Sequence, residues 1–360
     1  MNINAQATLP DEQKEQLKSI IGENYTIGAQ LGRTGGHTIA YELTDKRSKE
    51  KKVLLCSHGQ KTIQEKIQYK EQQEKSSKCR DFCAKGYNSA DGCFLPETES
   101  YADGLYRITS YGGRELTEDL FSHLSKPEQQ SIVRQFAGWL NFVHQKSFAE
   151  KDMLKSIFTK YEVGEVQQSD MWGDFTEKTQ KIPFAQKVTE TFAPYMSAIQ
   201  QKQIQDLIAS YQQRDKKDEI CVLTHGDLRD ANILYNSEKK QVSIIDFERS
   251  SVTSVYRDFC TYCRSGLAPE MIAQVVSAYN QLPKQQHAVH IDPKKVQTFL
   301  LIAYLHELTR CTQPESSKHN WNMFKKYYQQ VNVAFNHLSL DNAHSAKKCI
   351  DTGRKTYSNE

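Results

Sequence analysis

A chain of 360 residues, 38% hydrophobic and 10% aromatic, can bury a sizeable core as one two-lobed unit or two domains, which excludes a largely disordered chain. Its 47 basic and 44 acidic residues leave a net charge of only +3, with no basic block to suggest a nucleic-acid groove. The polar N-terminus MNINAQATLPDEQKEQ lacks the apolar region of a signal peptide, and no apolar run approaches the ~18 residues of a membrane span. With its nine scattered cysteines, the chain reads as a soluble, cytoplasmic protein of a reducing compartment that engages neither nucleic acid nor membrane.

Residues 11–22 (DEQKEQLKSIIG) place Leu17, Ile20 and Ile21 on one face of a short amphipathic helix. From Tyr25 the pattern becomes strand, turn, strand: YTIGAQLG, then RTGGHT, then IAYELT. A charged turn, DKRSKEKK, leads into the apolar strand VLLC, and residues 60–78, rich in Gln, Glu and Lys, predict an exposed helix. FLPETES and GLYRITSY, separated by a YADG turn, read as two further strands. This first part predicts a small sheet carrying one helix.

After TSYGGREL the spacing turns helical. LTEDLFSHL and QSIVRQFAGWLNFVHQK repeat apolar residues at three and four, and residues 150–220 continue mostly helical. A β-rich patch then interrupts, ICVLTHGDLRDANILYNSEKKQVSIIDFERS. It holds an apolar entry strand, a polar loop, a short strand NILY, a turn at NSEKK and a strand VSIIDF. Residues from 256 to 338 are predicted helical again, and 341–360 form a polar tail. Two cysteine groups, Cys79, Cys83 and Cys93 and then Cys260 and Cys263, lack the paired knuckles or nearby histidines of zinc sites, so buried structural thiols are expected.

The interrupting patch carries the chemistry. His225, Gly226 and Asp227 are followed by Asn232, and Asp246 then ends a β-run ahead of Phe247 and Glu248. Phosphoryl transfer from ATP needs a carboxylate beside the acceptor hydroxyl, oxygen ligands for Mg²⁺ and a cradle for the phosphates. A loop bearing Asp then Asn, and a hairpin returning with a second Asp, supplies the first two. An Asn amide oxygen and a carboxylate suit Mg²⁺, which takes few hard oxygen ligands beside phosphate and water. Each residue alone is a common turn former; the whole pattern between apolar strands is not an ordinary surface hairpin.

THGDLRDANIL followed by SIIDFERS resembles the aminoglycoside phosphotransferase/choline kinase branch of the protein-kinase-like fold, which writes its catalytic motif H-G-D-x-x-x-x-N. Glu248, two places after Asp246, fits that branch, as does FAGWLNFVHQK with Leu140 and His144. The long stretch between His144 and His225 is where such enzymes build the acceptor site, and SVYRDFC resembles a later segment whose aspartate, here Asp258, braces the loop. The resemblance implies an α+β, two-lobed fold: a small five-stranded antiparallel lobe with one main helix over 1–112, and a larger helical lobe over 113–340. It implies ATP and Mg²⁺ as cofactors. Asp227 would orient the acceptor hydroxyl or take its proton, Asn232 and Asp246 would ligate Mg²⁺, and Glu248 would be a further carboxylate at the metal or on the acceptor side. His225 and Asp258 would hold the loop. Segment 108–113, including Ser110 and Tyr111, would be the hinge facing the adenine.

The phosphate cradle and its cation are less regular. Gly35 and Gly36 in LGRTGGHTIAYEL would let backbone N–H groups approach phosphate oxygens, although the same pair suits a plain hairpin turn and matches neither G-x-G-x-x-G nor Walker A. Kinase-like folds carry a lysine on the third strand, yet here KKVLLCSHG puts Leu55 or Cys56 at that place. Lys52 or Lys61 would substitute, with Glu65 or Glu71 as the helix partner. The resemblance implies a small-molecule hydroxyl as acceptor, of aminoglycoside, choline or sugar type, with amino alcohols and nucleosides equally open. Glu307, Glu162 and Glu165 are the acidic candidates for its pocket, and Trp172, Phe175, Tyr195, Trp321, Tyr327 and Tyr328 the aromatic ones. A pseudokinase or nucleotide-binding regulatory module is the alternative, motivated by the missing lysine; a protein kinase is disfavoured by the absence of D-F-G and A-P-E.

Overall fold

The computed structural model describes residues 15, 17–19, 21–31, 38–57, 63–87, 93–96, 98–101, 106–158, 198–212, 220–261, 269–283, 289–311, 325–331 and 333. In chain order these give β1 (Tyr25–Leu31), β2 (Thr38–Asp45), β3 (Lys51–Ser57), α1 (Ile63–Ala84), β4 (Thr98–Tyr101), β5 (Tyr106–Ser110) and β6 (Arg114–Glu115). Helices α2 (Glu118–His123), α3 (Lys126–Ala149), α4 (Lys151–Ile157) and α5 (Ala198–Gln212) follow. Next come β7 (Cys221–Thr224), β8 (Ile233–Asn236), β9 (Gln241–Ile244) and β10 (Ser251–Ser254), then α6 (Arg257–Thr261), α7 (Pro269–Gln281) and α8 (Pro293–Cys311). The chain divides into two compact units, one of residues 1–115 with 234–248 and one of 116–233 with 249–360. Among the described residues no helix is long and apolar enough to cross a membrane.

In the first unit, five strands form one antiparallel sheet in the order β1-β2-β3-β5-β4, as the period-two runs predicted. The charged DKRSKEKK turn closes because the Asp45 carboxylate accepts the N–H groups of Arg47 and Ser48, both at 2.8 Å. On β3 the pleat sends Leu54 and Cys56 to one face, where they pack with Tyr41, Leu43 and Ile108 and with Leu17 and Ile21 of the N-terminal helical residues. That helical stretch stops at Gly22, whose φ of +83° lets its N–H return to the Lys18 carbonyl at 2.8 Å.

Two sequence expectations are corrected here. Helix α1 runs beyond residue 78 to Ala84, because Cys79, Phe82 and Cys83 recur at helical spacing and are fully buried. The predicted strand VSIIDF ends early, at Ile244, since Asp246 takes a φ of +66° and leaves the ladder. Hairpin strands β8 and β9 join β6 in a three-stranded sheet, and Phe94 bridges to Ser243 through its N–H to the Val242 carbonyl at 2.6 Å.

The second unit is mainly helical. Helix α3 starts with a capping box between Ser125 and Glu128 and a proline in its first turn. Its buried face, including Ile132, Phe136, Trp139, Leu140 and Val143, packs on α7 and on β7. Strand β7 pairs antiparallel with β10, and α8 packs on α6. The described part of the C-terminal stretch is helical as expected, with residues 325–331 following α8.

Candidate active site

In the second unit the loop from His225 to Asn232 follows a short strand and is held by its neighbours. Strand β7 delivers the chain to His225 and Gly226, and its backbone is held by α3: the Ser147 hydroxyl accepts the Leu223 N–H at 3.0 Å and donates to the Val143 carbonyl at 2.7 Å. Asp258, at the start of α6, is buried, and its two carboxylate oxygens accept the N–H groups of His225 and Gly226, each at 2.9 Å. Burial pushes the Asp258 carboxyl above its usual range; the neighbouring His225 and Arg257 and those two N–H bonds act against that rise. Gly226 has a φ of +79°, and a Cβ there would lie 2.3 Å from the Arg249 carbonyl oxygen, so only glycine fits this turn.

The turn aims Asp227. Its N–H donates to His225 Nδ1 at 3.3 Å, fixing the tautomer in which Nδ1 carries no proton. The His225 ring packs edge-on against Trp139, and the Ser250 hydroxyl donates to the His225 carbonyl at 3.5 Å. Asn232, almost fully buried, donates Nδ2 to the Asp227 carbonyl at 2.7 Å and to Oδ2 at 3.3 Å. That leaves Asn232 Oδ1 as its acceptor atom, the atom a hard cation takes. Arg229 Nε lies 3.4 Å from Asp227 Oδ2, an outward ion pair on a side chain that is 47% exposed. Within this unit the sequence-named His225, Asp227, Asn232 and Asp258 are thus one hydrogen-bonded group.

The first unit holds the other half of the predicted set. Asp246 is exposed and held in the left-handed region just after β9, a conformation that Asp tolerates better than most residues. Phe247 is buried beside it and anchors the turn. Glu248 Oε1 accepts Gln73 Nε2 of α1 at 2.6 Å, and Gln73 Oε1 in turn accepts Nη1 of Arg107 on β5. Ser110, expected at a hinge, ends β5 and Tyr111 follows it, and Gly112 and Gly113 pack closely on the β8–β9 hairpin. A Cβ on Gly113 would meet the Tyr235 carbonyl at 2.3 Å, and the Gly112 carbonyl accepts the Ser243 hydroxyl at 3.0 Å.

Lys52 shares the face of Leu54 and Cys56, with its ammonium 5.7 Å from the Tyr25 ring centre. Glu71 is exposed on α1. Gly35, Gly36 and Lys61 lie outside the described residues, as do the side chains of Glu65 and Cys260, and so do Cys263, Glu162, Glu165, Trp172, Phe175, Tyr195 and Trp321. Glu307, Tyr327 and Tyr328 are buried in the helical unit. Cys79, Cys83 and Cys93 are buried, and among the described residues no group of three His, Cys, Asp or Glu is placed to hold a metal ion. Sequence reasoning passed over Ser147, Trp139, Gln73 and Arg107. Only Ser147 and Trp139 left a signal, as inward positions of α3, which runs past His144 to Ala149.

With this geometry the chain can be set beside known proteins. ADP-bound aminoglycoside phosphotransferase APH(2'')-Ib has a TM-score of 0.52 at 15% identity, covering 91% of this chain and 99% of that one. Macrolide 2'-phosphotransferase MphH from Brachybacterium faecium has a TM-score of 0.53 at 12% identity, covering 88% of this chain and 98% of that one. The streptomycin–ATP–APH(2'')-IIa ternary complex has 0.52 at 16% identity, covering 91% and 98%. The chain therefore has the fold of small-molecule phosphotransferases of the protein-kinase-like type, as the loop and hairpin motifs implied. The model of the ecdysteroid kinase-like family matches residues 127–281, from α3 to α7, which include Asp227, Asn232 and Asp258. No curated protein matches the sequence.

Proposed function

We propose that this protein is an ATP- and Mg²⁺-dependent phosphotransferase that moves the γ-phosphate onto a hydroxyl of a small molecule. The observation that carries the reading is the buried loop in which Asp258 pins His225 and Gly226, and Asn232 is tied to Asp227. Such over-determination suits a carboxylate that must stay aimed while a proton and a phosphoryl group move. In this reading the two units are the lobes of a kinase-like enzyme. Residues 1–112, with the hairpin, take the nucleotide; residues 113–340 carry the catalytic loop and the acceptor site.

Asp227 accepts the proton of the attacking hydroxyl, or holds that hydroxyl in line, contributing about 10²- to 10⁴-fold. Asn232 Oδ1 in the second unit and the Asp246 carboxylate in the first are each a hard oxygen donor of the kind that would hold Mg²⁺. When bound, that ion supplies neutralisation of charge on the transferring phosphoryl group. Asp246 is pre-set for this role by its left-handed backbone, which turns its carboxylate out of the β-run. His225 and Asp258 position the loop and touch no reactant.

A thermal shift with ATP, with and without Mg²⁺, tests the reading without knowledge of the acceptor. At a hundred times its dissociation constant, Mg-ATP adds about 2.7 kcal/mol of stability. The shift is expected in the wild type, lost in Asp246→Ala and retained in Asp227→Asn, while Asp227→Asn abolishes phosphoryl transfer to any acceptor found by screening. Unchanged turnover in Asp227→Asn would sink the catalytic assignment. A second reading, a nucleotide-sensing module without turnover, is favoured by one observation: β3 offers Leu55 and Cys56 where a lysine is customary. It predicts a Mg-ATP shift with no transfer to any hydroxyl tried.

A further inference from the structure

Strand β3 has two faces, and they differ in what they offer in place of a lysine. Cys56 is on the face packed with Leu17 and Ile21, and burial pushes its thiol up to about 12, so it is an inert core group. Leu55 is on the opposite face. Directly across from Leu55 in the antiparallel register stands Arg107 of β5. Opposed residues in such a pair have Cβ atoms only about 5 Å apart. Arg107 therefore projects from the same face as Leu55, and that face is the one helix α1 covers, since Arg107 bonds Gln73.

We infer that Arg107 supplies the nucleotide-phosphate cation of this protein, moved one strand over from β3 and held by Gln73 and Glu248. The inference deepens the phosphotransferase reading and rests on it. Three features carry it. In kinase-like sites the strand cation is fixed by a helix carboxylate and works near the metal aspartate. Here Arg107 is fixed by α1 through Gln73, and the same amide donates to Glu248, two residues beyond Asp246. One chain of hydrogen bonds thus runs from the sheet cation to the segment bearing Asp246, all within one unit. Among the described residues of β3, Lys51 pairs with Glu42 at 3.1 Å, and Lys52 turns to Tyr25 on the opposite face. Arginine is moreover a planar fork that meets phosphate oxygens in pairs, and it stays charged wherever it is placed.

The test measures binding of ATP, and of adenosine as the phosphate-free probe, to the full chain with Mg²⁺ present. The proteins compared are wild type, Arg107→Met, Lys52→Met, and a double variant with Arg107→Leu and Leu55→Lys. Arg107→Met is expected to weaken ATP on the order of 10- to 100-fold while adenosine stays within about twofold. The double variant, which returns a cation to β3, should recover part of the lost ATP affinity. Equal ATP affinity in wild type and Arg107→Met overturns this inference and leaves the phosphotransferase reading standing. Loss in Lys52→Met with Arg107→Met unaffected overturns it in favour of Lys52. Parallel loss of ATP and adenosine, without recovery in the double variant, makes Arg107 a structural residue only. A wild type that binds no ATP removes the nucleotide reading itself.

Discussion

At Gly226 the backbone has no room for a side chain: the left-handed φ and the Arg249 carbonyl at 2.3 Å from a virtual Cβ both forbid one. Gly226→Ala should therefore cost about 1–3 kcal/mol in strain, read by chemical denaturation. It should also lower turnover, because the turn aims Asp227; an alanine variant of wild-type stability would show that the turn is looser than described. His144 offers a pH prediction. Its ring is buried, Nδ1 meets the Tyr279 hydroxyl at 3.0 Å, and burial drives its pKa from 6.5 down to about 3. Below 6.5 the unfolded chain takes up a proton that the folded chain refuses, so stability is full above 6.5 and is lost as pH falls towards 3. Between pH 7 and pH 5 this amounts to about 2 kcal/mol. His144→Gln should flatten that part of the stability profile, and an unchanged slope would assign the acid sensitivity to other groups.

Among the elements, α3 and β7 form the support on which the loop from His225 to Asn232 stands. Ser147 joins them by accepting the Leu223 N–H in a buried setting. Ser147→Ala leaves that donor without its acceptor, and an expected loss of about 1–3 kcal/mol follows. The same variant should show faster amide exchange at Leu223; exchange as slow as in the wild type would mean that a new acceptor had formed. Legibility also differed by element. The sheet strands, α3 and the loop from His225 to Asn232 were readable because periodicity and fixed spacing are local signals. The end of β9 was not, since nothing in IIDF announces that Asp246 will turn left-handed. The extension of α1 was hidden because its last turn, with Cys79 and Cys83, invites a metal-site reading before a helical one. Arg107 and Gln73 could not be found at all: their meeting depends on strand register and on how α1 crosses the sheet, facts that no run of neighbouring residues encodes.

For the whole molecule the telling feature is that the first unit is written in two separated stretches, 1–115 and 234–248. The hairpin is an integral part of it: Gly112 and Gly113 press on Ser243 and Tyr235, Phe94 bonds the β9 backbone, and Gln73 bonds Glu248. A fragment ending at residue 115 should therefore fail to give a cooperative thermal transition, whereas the same fragment joined by a short linker to 234–248 should give one. Cooperative melting of the short fragment would contradict the prediction. Synthesis on the ribosome meets the same arrangement as a matter of timing. Domains commonly fold as they emerge, the N-terminal one first. This chain denies that order to its first unit, which must wait, short of a hairpin, while residues 116–233 are made. Anything that halts translation between those points leaves a nascent sheet with its Gly112–Gly113 seam uncovered.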